Sequence, residues 1–187
     1  TGEFQLRAPK AEDTQKLASL GRDTFIETFG PLYRKEDLDH FLKKSYSDTV
    51  IATDLADPRL THRVIEFQNE LVAFIKVGPV HVPAKSPSPE AAEIWQIYVR
   101  QSFLGRGLGG CLMNWAMNYF ESIEASEIYV SVFSENPKAI RFYEKYGFKK
   151  IDEYDFWVGD QIDLEWIMCK SLFSVDAPEA FILWIDA

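Results

Sequence analysis

"SFLGRGLGGCL", Ser102 to Leu112, places four glycines within six positions. It follows an apolar, β-like run, "EIWQIYVR" (Glu93–Arg100), and opens a helical pattern with Leu108, Leu112, Trp115 and Tyr119 on one stripe. Glycine has no Cβ, so successive backbone N–H groups can point into one concavity and let a phosphate come close. The helix that starts there adds the partial positive charge of its N-terminus. A strand, a bare loop and a helix in this order predict a pyrophosphate-bearing ligand rather than an empty turn. Two well-known phosphate loops do not fit. A P-loop needs Gly-Lys-Ser/Thr, and Gly109-Gly110-Cys111 offers neither the lysine nor the metal-binding hydroxyl. A dinucleotide fingerprint needs Gly-x-Gly-x-x-Gly opening a βαβ unit, with an acidic residue ~20 positions on. Gly105-x-Gly107-x-Gly109 is spaced differently, lies mid-chain and follows a hairpin.

Outward from this loop the pattern is of one mixed domain. "FQLRAP" (Phe4–Pro9) is a short strand stopped by proline, and Ala11 to Phe29 is a helix ended by Gly30-Pro31. "RKEDLDHFLKKSY" presents Leu38, Phe41 and Leu42 on one helical face, and Ser47 or Asp48 caps a third helix through Asp57. "THRVIEFQ" and "LVAFIKV" form a hairpin around Asn69-Glu70. A proline-rich loop, Gly78 to Ala91, leads into the strand Ala92–Val99. Beyond the glycine-entered helix come a strand "EIYVSVF", then a helix capped by Asn136, with Pro137 at its first position and Gly147 closing it. Two last strands turn at Gly159-Asp160. The order β–α–α(α)–β–β–β–α–β–α–β–β predicts an α/β domain built on one central sheet.

Composition bounds the rest. At 187 residues the chain is one domain's length, and a net charge of −9 disfavours nucleic acid, whose phosphates require a basic face. No apolar run approaches the ~20 residues of a membrane span. Cys111 and Cys169 lie in apolar periodic segments and read as buried free thiols, which together with the absence of a basic-then-apolar leader predicts a cytoplasmic protein. His40, His62 and His81 have no metal-ligand spacing, and no Ser-His-Asp grouping stands out, so no metal is expected. The tail "FSVDAPEAFILWIDA" (173–187) carries five apolar residues in a row, Phe181 to Ile185. It is expected to cover a sheet edge or a neighbouring subunit, with a homodimer as one outcome.

"IYVRQSFLGRGLGGCL" followed by "NPKAIRFYEKYGF" resembles the two principal motifs of the GNAT superfamily of acyl-CoA N-acyltransferases. Gly107 and Gly109 match the last fixed positions of Gln/Arg-x-x-Gly-x-Gly/Ala, and Leu104 stands where Gln or Arg is usual. Asn136, Tyr143 and Tyr146-Gly147-Phe148 match the second motif, and the element order fits through about Leu172. The resemblance implies a GNAT domain over 1–172, with a mostly antiparallel, twisted sheet splayed at the acetyl-CoA site and flanked by helices. "ETF", "EIWQIYVRQSF" and "FWVGDQIDLEWIMCKSL" further resemble Pai-type spermidine/spermine acetyltransferases.

On that basis acetyl-CoA is the implied cosubstrate. Gly105, Arg106, Gly107, Leu108, Gly109 and Gly110 would hold its pyrophosphate, and the backbone of Ile97, Tyr98 and Val99 its pantetheine arm, with Asn136 and Tyr143 beside it. Tyr143 would be the acid that protonates the departing thiolate, since a phenol with pKa near 10 keeps its proton. An alkyl amine has a pKa of about 10.4 and must lose a proton before it attacks. Glu93 is the expected base, because strand alternation puts Glu93, Trp95, Ile97 and Val99 on one face. Glu27 is the second choice, since the end of the first helix, with Phe29, would line the acceptor cleft. Glu27, Glu36, Asp37 and Asp39 near that cleft would attract a cationic amine such as a polyamine. The alternatives are acetylation of protein N-termini or lysines, or an acyl-CoA-binding regulator without turnover.

Overall fold

A computed structural model describes residues 2–172; the apolar tail expected to cover a sheet edge lies outside the described residues. The elements are β1 (Gln5–Arg7), α1 (Thr14–Phe29), α2 (Lys35–Tyr46), α3 (Asp48–Ala56), β2 (Thr61–Phe67), β3 (Glu70–Pro79) and β4 (Ala92–Val99). They are followed by α4 (Leu108–Ser122), β5 (Glu127–Phe133), α5 (Pro137–Lys145), β6 (Lys149–Val158) and β7 (Gln161–Ser171). The strands make one seven-stranded sheet in the order β1-β2-β3-β4-β5-β7-β6. Every neighbouring pair is antiparallel except β4 with β5. Among the described residues no helix is long and apolar enough to cross a membrane.

The sheet is covered on both faces. Leu108, Leu112, Met113, Ala116 and Phe120 of α4 are buried against Ile65, Ala73, Ile75, Ile94, Ile128 and Val130, with Ile140 and Tyr143 of α5 completing this layer. Leu17, Leu20 and Phe25 of α1, with Leu42, Tyr46 and Ile51, cover Val64, Leu71 and Phe74 on the other face. The buried stripe of α4 is thus rotated from the one traced through Trp115 and Tyr119, which are half-buried and stacked on each other at 5.3 Å. That rotation leaves Cys111 exposed and Cys169 only partly covered, so the cysteines are free thiols but not the buried ones expected.

Two further details differ from the sequence pattern. The β2–β3 turn is Gln68-Asn69, one residue earlier than expected, with both at positive φ (51° and 65°), as a two-residue hairpin turn demands. In β4, Lys76 pairs with Gln96 and Val77 with Ile94, so Trp95 is an extra, bulged residue. The bulge reverses the alternation. Ile94, Ile97 and Val99 therefore share the α4 face, while Tyr98 packs on the α1–α3 side. Glu93 consequently does not share a face with Ile97 and Val99, as strict alternation had predicted.

Two polar contacts set the helices on the sheet. At the β6–β7 turn Gly159 has φ 60°, and a Cβ there would lie 1.9 Å from Asp37 Oδ1. The backbone of this turn therefore closes directly onto α2, with the Asp160 N–H donating to Asp37 at 3.3 Å. At the other end Arg7 of β1 donates to Asp13 at 2.6 Å and also binds Glu66 of β2, tying the entry of α1 to the sheet edge.

This contact is testable. The Arg7 hydrogen bond outweighs the burial that opposes it and lowers the Asp13 carboxyl from 3.8 to about 2. A depressed carboxylate stabilises the fold above its unfolded pKa and loses that contribution as pH falls through the folded one. Asp13→Asn should therefore destabilise the protein by about 2 kcal/mol near neutral pH. In urea unfolding, the gap from wild type should narrow as pH drops from about 4 towards 2. A gap independent of pH would mean that Asp13 contributes only packing.

Candidate active site

The parallel β4–β5 ladder is short. It pairs Ala92 with Ile128, Glu93 with Tyr129 and Ile94 with Val130, and then the strands part. Beyond this point Trp95 to Val99 remain paired with β3 on one side only, apart from the bulge. Among the described residues the edge they turn to β5 has no strand partner, and buried backbone groups require partners. A cleft of about 1080 Å³ opens at the gap. Ile97, Tyr98 and Val99 line it, as do Gly109, Asn136 and Tyr143 from one end and Glu27, Phe29 and Glu93 from the other elements.

The glycine loop supports the pyrophosphate expectation in its geometry. Gly105 and Gly107 hold φ of 77° and 79°, and a Cβ built on either would meet nothing within 4 Å. The left-handed backbone thus borders open space, not a packed wall. Gly107 is the N-cap of α4, so the first free N–H groups of a 15-residue helix face this space. Leu108 is buried in the core and can offer only its backbone. Gly109 and Gly110 also serve packing, because a Cβ there would approach the Phe142 ring at 3.7 Å and Tyr146 Oη at 3.3 Å. Arg106 stacks its guanidinium over Phe103 at 5.0 Å. The loop therefore fits an acyl-CoA pyrophosphate by shape, by N–H supply and by helix polarity.

Tyr143 is 7% exposed and lines the cleft from α5. Burial, reinforced by Tyr98 and by the charge of Glu165, pushes its hydroxyl well above the ordinary tyrosine range, so it stays protonated. Asn136 caps α5, its Oδ1 accepting from the Ala139 N–H at 3.1 Å, and its position at the cleft follows from that cap.

The acidic residues separate into different roles. Glu93 is 1% exposed; it accepts from the backbone N–H groups of His81 and Val82 at 2.7 and 3.0 Å and meets His81 Nδ1 at 2.7 Å. It anchors the proline-rich loop, with His81 stacked on the bulged Trp95 at 4.1 Å. Glu27 accepts from the Gln101 N–H at 2.7 Å and so steadies the turn that enters the glycine loop. Asp37 and Asp39 are bound to Arg34 and Lys35. Neither they nor Glu36 line the cleft, to which α2 gives His40, Phe41, Lys44, Ser45 and Tyr46.

Sequence reasoning missed Glu165. It lies on β7 opposite Phe133 of β5 and Tyr154 of β6, and it lines the cleft. Its Oε2 accepts from Ser131 Oγ at 2.6 Å, and that hydroxyl is 2.9 Å from Tyr154 Oη. Burial pushes its carboxyl up to about 7, against the Ser131 hydrogen bond and with help from the charge of Asp163. In sequence it is one acidic residue in an alternating strand, "IDLEWIM", and nothing there distinguishes it from a solvent-facing one. Tyr33, bound to Asp163, and Tyr98 complete a group of hydroxyls around it.

Comparison with known proteins agrees with this geometry. Residues 22–148 match the model of the acetyltransferase (GNAT) family. An uncharacterized N-acetyltransferase of Lactobacillus delbrueckii subsp. lactis is 27% identical over 161 residues, 86% of this chain and 93% of that protein. The spermine/spermidine N(1)-acetyltransferase of Bacillus subtilis is 27% identical over 93 residues, 48% of this chain and 60% of that protein. Among solved structures, the PaiA N-acetyltransferase of Thermoplasma acidophilum in complex with coenzyme A superposes with a TM-score of 0.74 at 20% identity, covering 90% of this chain and 99% of that one. A sheet parted beside a bare helix-entry loop, matched over two thirds of the chain by the family model, places this protein in the GNAT family of acetyl-CoA-dependent N-acetyltransferases.

Proposed function

We propose that the chain transfers acetyl from acetyl-CoA to a primary amine of a small cationic acceptor, of the spermidine or spermine class, by direct attack on the thioester. The observation that carries this reading is Glu165, a carboxylate set in a cleft walled by Phe29, Tyr33, Phe41, Phe156 and Trp157. Aromatic faces and an unneutralised carboxylate together recognise an ammonium group. The similarity to spermine and spermidine acetyltransferases over about half the chain supports the same class.

In this reading the free backbone edge of Ile97–Val99 holds the pantetheine arm, and one N–H there receives the developing oxyanion. The helix start at Gly107–Gly109 holds the pyrophosphate. Tyr143 gives its proton to the departing thiolate. Asn136 orients α5, and with it the Tyr143 hydroxyl.

Three measurements check the parts. Gly109→Val puts a branched side chain at the cradle without backbone strain, because its φ is not left-handed. Calorimetric affinity for acetyl-CoA should drop at least about tenfold (about 1.4 kcal/mol) in a protein of near-normal Tm. Unchanged binding would make the loop a structural turn. Tyr143→Phe should lower kcat by about 10²-fold with little change in KM for acetyl-CoA. An unaltered kcat would remove Tyr143 from the chemistry. For the acceptor, free-thiol release should be faster with spermidine or spermine than with a monoamine of similar length. The polyamine kcat/KM should also fall more steeply between about 0.1 and 1 M salt, where the Debye length shrinks from ~10 to ~3 Å. Preference for a neutral or acidic amine, or release with peptide N-termini alone, would reject the cationic acceptor.

A further inference from the structure

Other than Glu165, the carboxylates that line the cleft each have a partner, while Lys44 and Lys138 line it too. Asp54 binds Lys76 at 2.8 Å, Glu93 binds His81 at 2.7 Å, and Glu27 takes a backbone N–H. Among the described residues no cation pairs with Glu165. What holds it is neutral: the Ser131 hydroxyl on β5, which is itself in contact with the Tyr154 hydroxyl on β6. The charge of Glu165 is felt by Tyr33, Tyr98, Tyr143 and Tyr154, which come from four different elements or turns around the cleft. Asp163 is the other acidic group that acts on it, and Glu93 acts on Tyr154. So one carboxylate lies where the acid Tyr143, the strand gap and the aromatic arm of the cleft converge.

A general base must first present a lone pair to the proton it removes. Glu93, the base expected from the sequence, has both oxygens engaged by three donors of the proline-rich loop. Glu165 has one oxygen bound to Ser131 and the other without a hydrogen-bond partner among the described residues. We infer that Glu165 is the general base of the transfer, held in place by Ser131 and Tyr154. This assignment rests on the reading of the acceptor as an amine.

The step balances as follows. Glu165 carboxylate takes one proton from the acceptor's ammonium, leaving a neutral amine whose nitrogen lone pair forms the new C–N bond at the thioester carbonyl. The C–S bond breaks with its electron pair on sulfur, and Tyr143 supplies the proton that makes the free thiol. The second proton leaving the nitrogen returns to Tyr143, and Glu165 releases the first to water. A carboxyl pushed up to about 7 by burial does both halves of this exchange near neutral pH.

The test is the pH profile of kcat/KM with spermidine, by thiol release, for wild type, Glu165→Gln and Glu93→Gln. Because the protonated carboxyl is inactive as a base, wild-type kcat/KM should fall tenfold per unit below about pH 7. Glu165→Gln should lose about 10²-fold or more at neutral pH, and its kcat/KM should keep rising with pH without levelling near 7, because only the free neutral amine then reacts, with calorimetric acetyl-CoA binding as in wild type. Glu93→Gln should keep the limb. A fluorinated alkylamine that is already neutral at pH 7 needs no base, so Glu165→Gln should acetylate it with a much smaller loss. Ser131→Ala gives a second measurement: removing the hydrogen bond that lowers Glu165 should move the limb to higher pH. A plateau that still begins near pH 7 in Glu165→Gln, an unmoved limb in Ser131→Ala, a limb abolished by Glu93→Gln, or an equal loss with the neutral amine each overturns the assignment. Wild-type turnover of no amine at all would instead reject the acceptor reading, and the base with it.

Discussion

The parting of β4 from β5 is the constraint from which the site follows. A sheet interior normally pairs both edges of every strand, because a buried N–H or C=O without a partner is destabilising by about 1–3 kcal/mol. Here pairing stops after Ile94 and Val130, and the strands are driven apart without any break in the remaining sheet. Pairing of β4 with β3 on both sides of the bulge, and of β5 with β7, holds each strand from its far side. A free strand edge between fixed walls is then a ready partner for an extended ligand with amide groups.

The bulge at Trp95 belongs to the same device. It increases the local twist at the end of the paired segment and reverses which side chains face α4. Ile97 and Val99 are thereby placed on the core side, against α4 and α5, while Glu93 is left to the loop side. The displaced Trp95 does not hang free. It donates its indole N–H to the Pro79 carbonyl at 2.8 Å, stacks on His81, and lies under Lys76 at 4.9 Å. The residue that made the sheet irregular also fixes the proline-rich loop at the cleft's rim.

The electrostatic character of the cleft follows from which carboxylates find partners. A net charge of −9 indicates an acidic chain but not an acidic site. On α2 the acids are held by Arg34 and Lys35 or point away, and the helix contributes aromatic and basic side chains to the cleft instead. The buried carboxylates that do reach the cleft are tied up one by one, until Glu165 is left with hydroxyls alone. Its place inside β7, away from the Gly159-Asp160 turn that marks the strand's start, is what brings its charge to bear on Tyr143 of α5.

Local chemistry was legible from the residues themselves. The bare loop, the Asn136–Pro137 helix start, the hairpins and the α4 and α5 helices depend on backbone conformations and caps set within a few residues, and the sequence pattern located them to within a residue or two. The helix start at Gly107 is of this kind, because it is made of consecutive N–H groups. What the sequence could not carry was anything decided by pairing between distant segments. Alternation is a rule for a regular ladder, so it misplaced Glu93 when β4 admitted an extra residue, Trp95, opposite Lys76 and Val77 of β3. A helical stripe can be drawn through several neighbouring rows, so Cys111 looked buried until α4 was set on the sheet. The proton-accepting character of Glu165 arises only where β5, β6 and β7 lie side by side, since burial by one strand and a hydroxyl from another set its charge, and no local pattern records either.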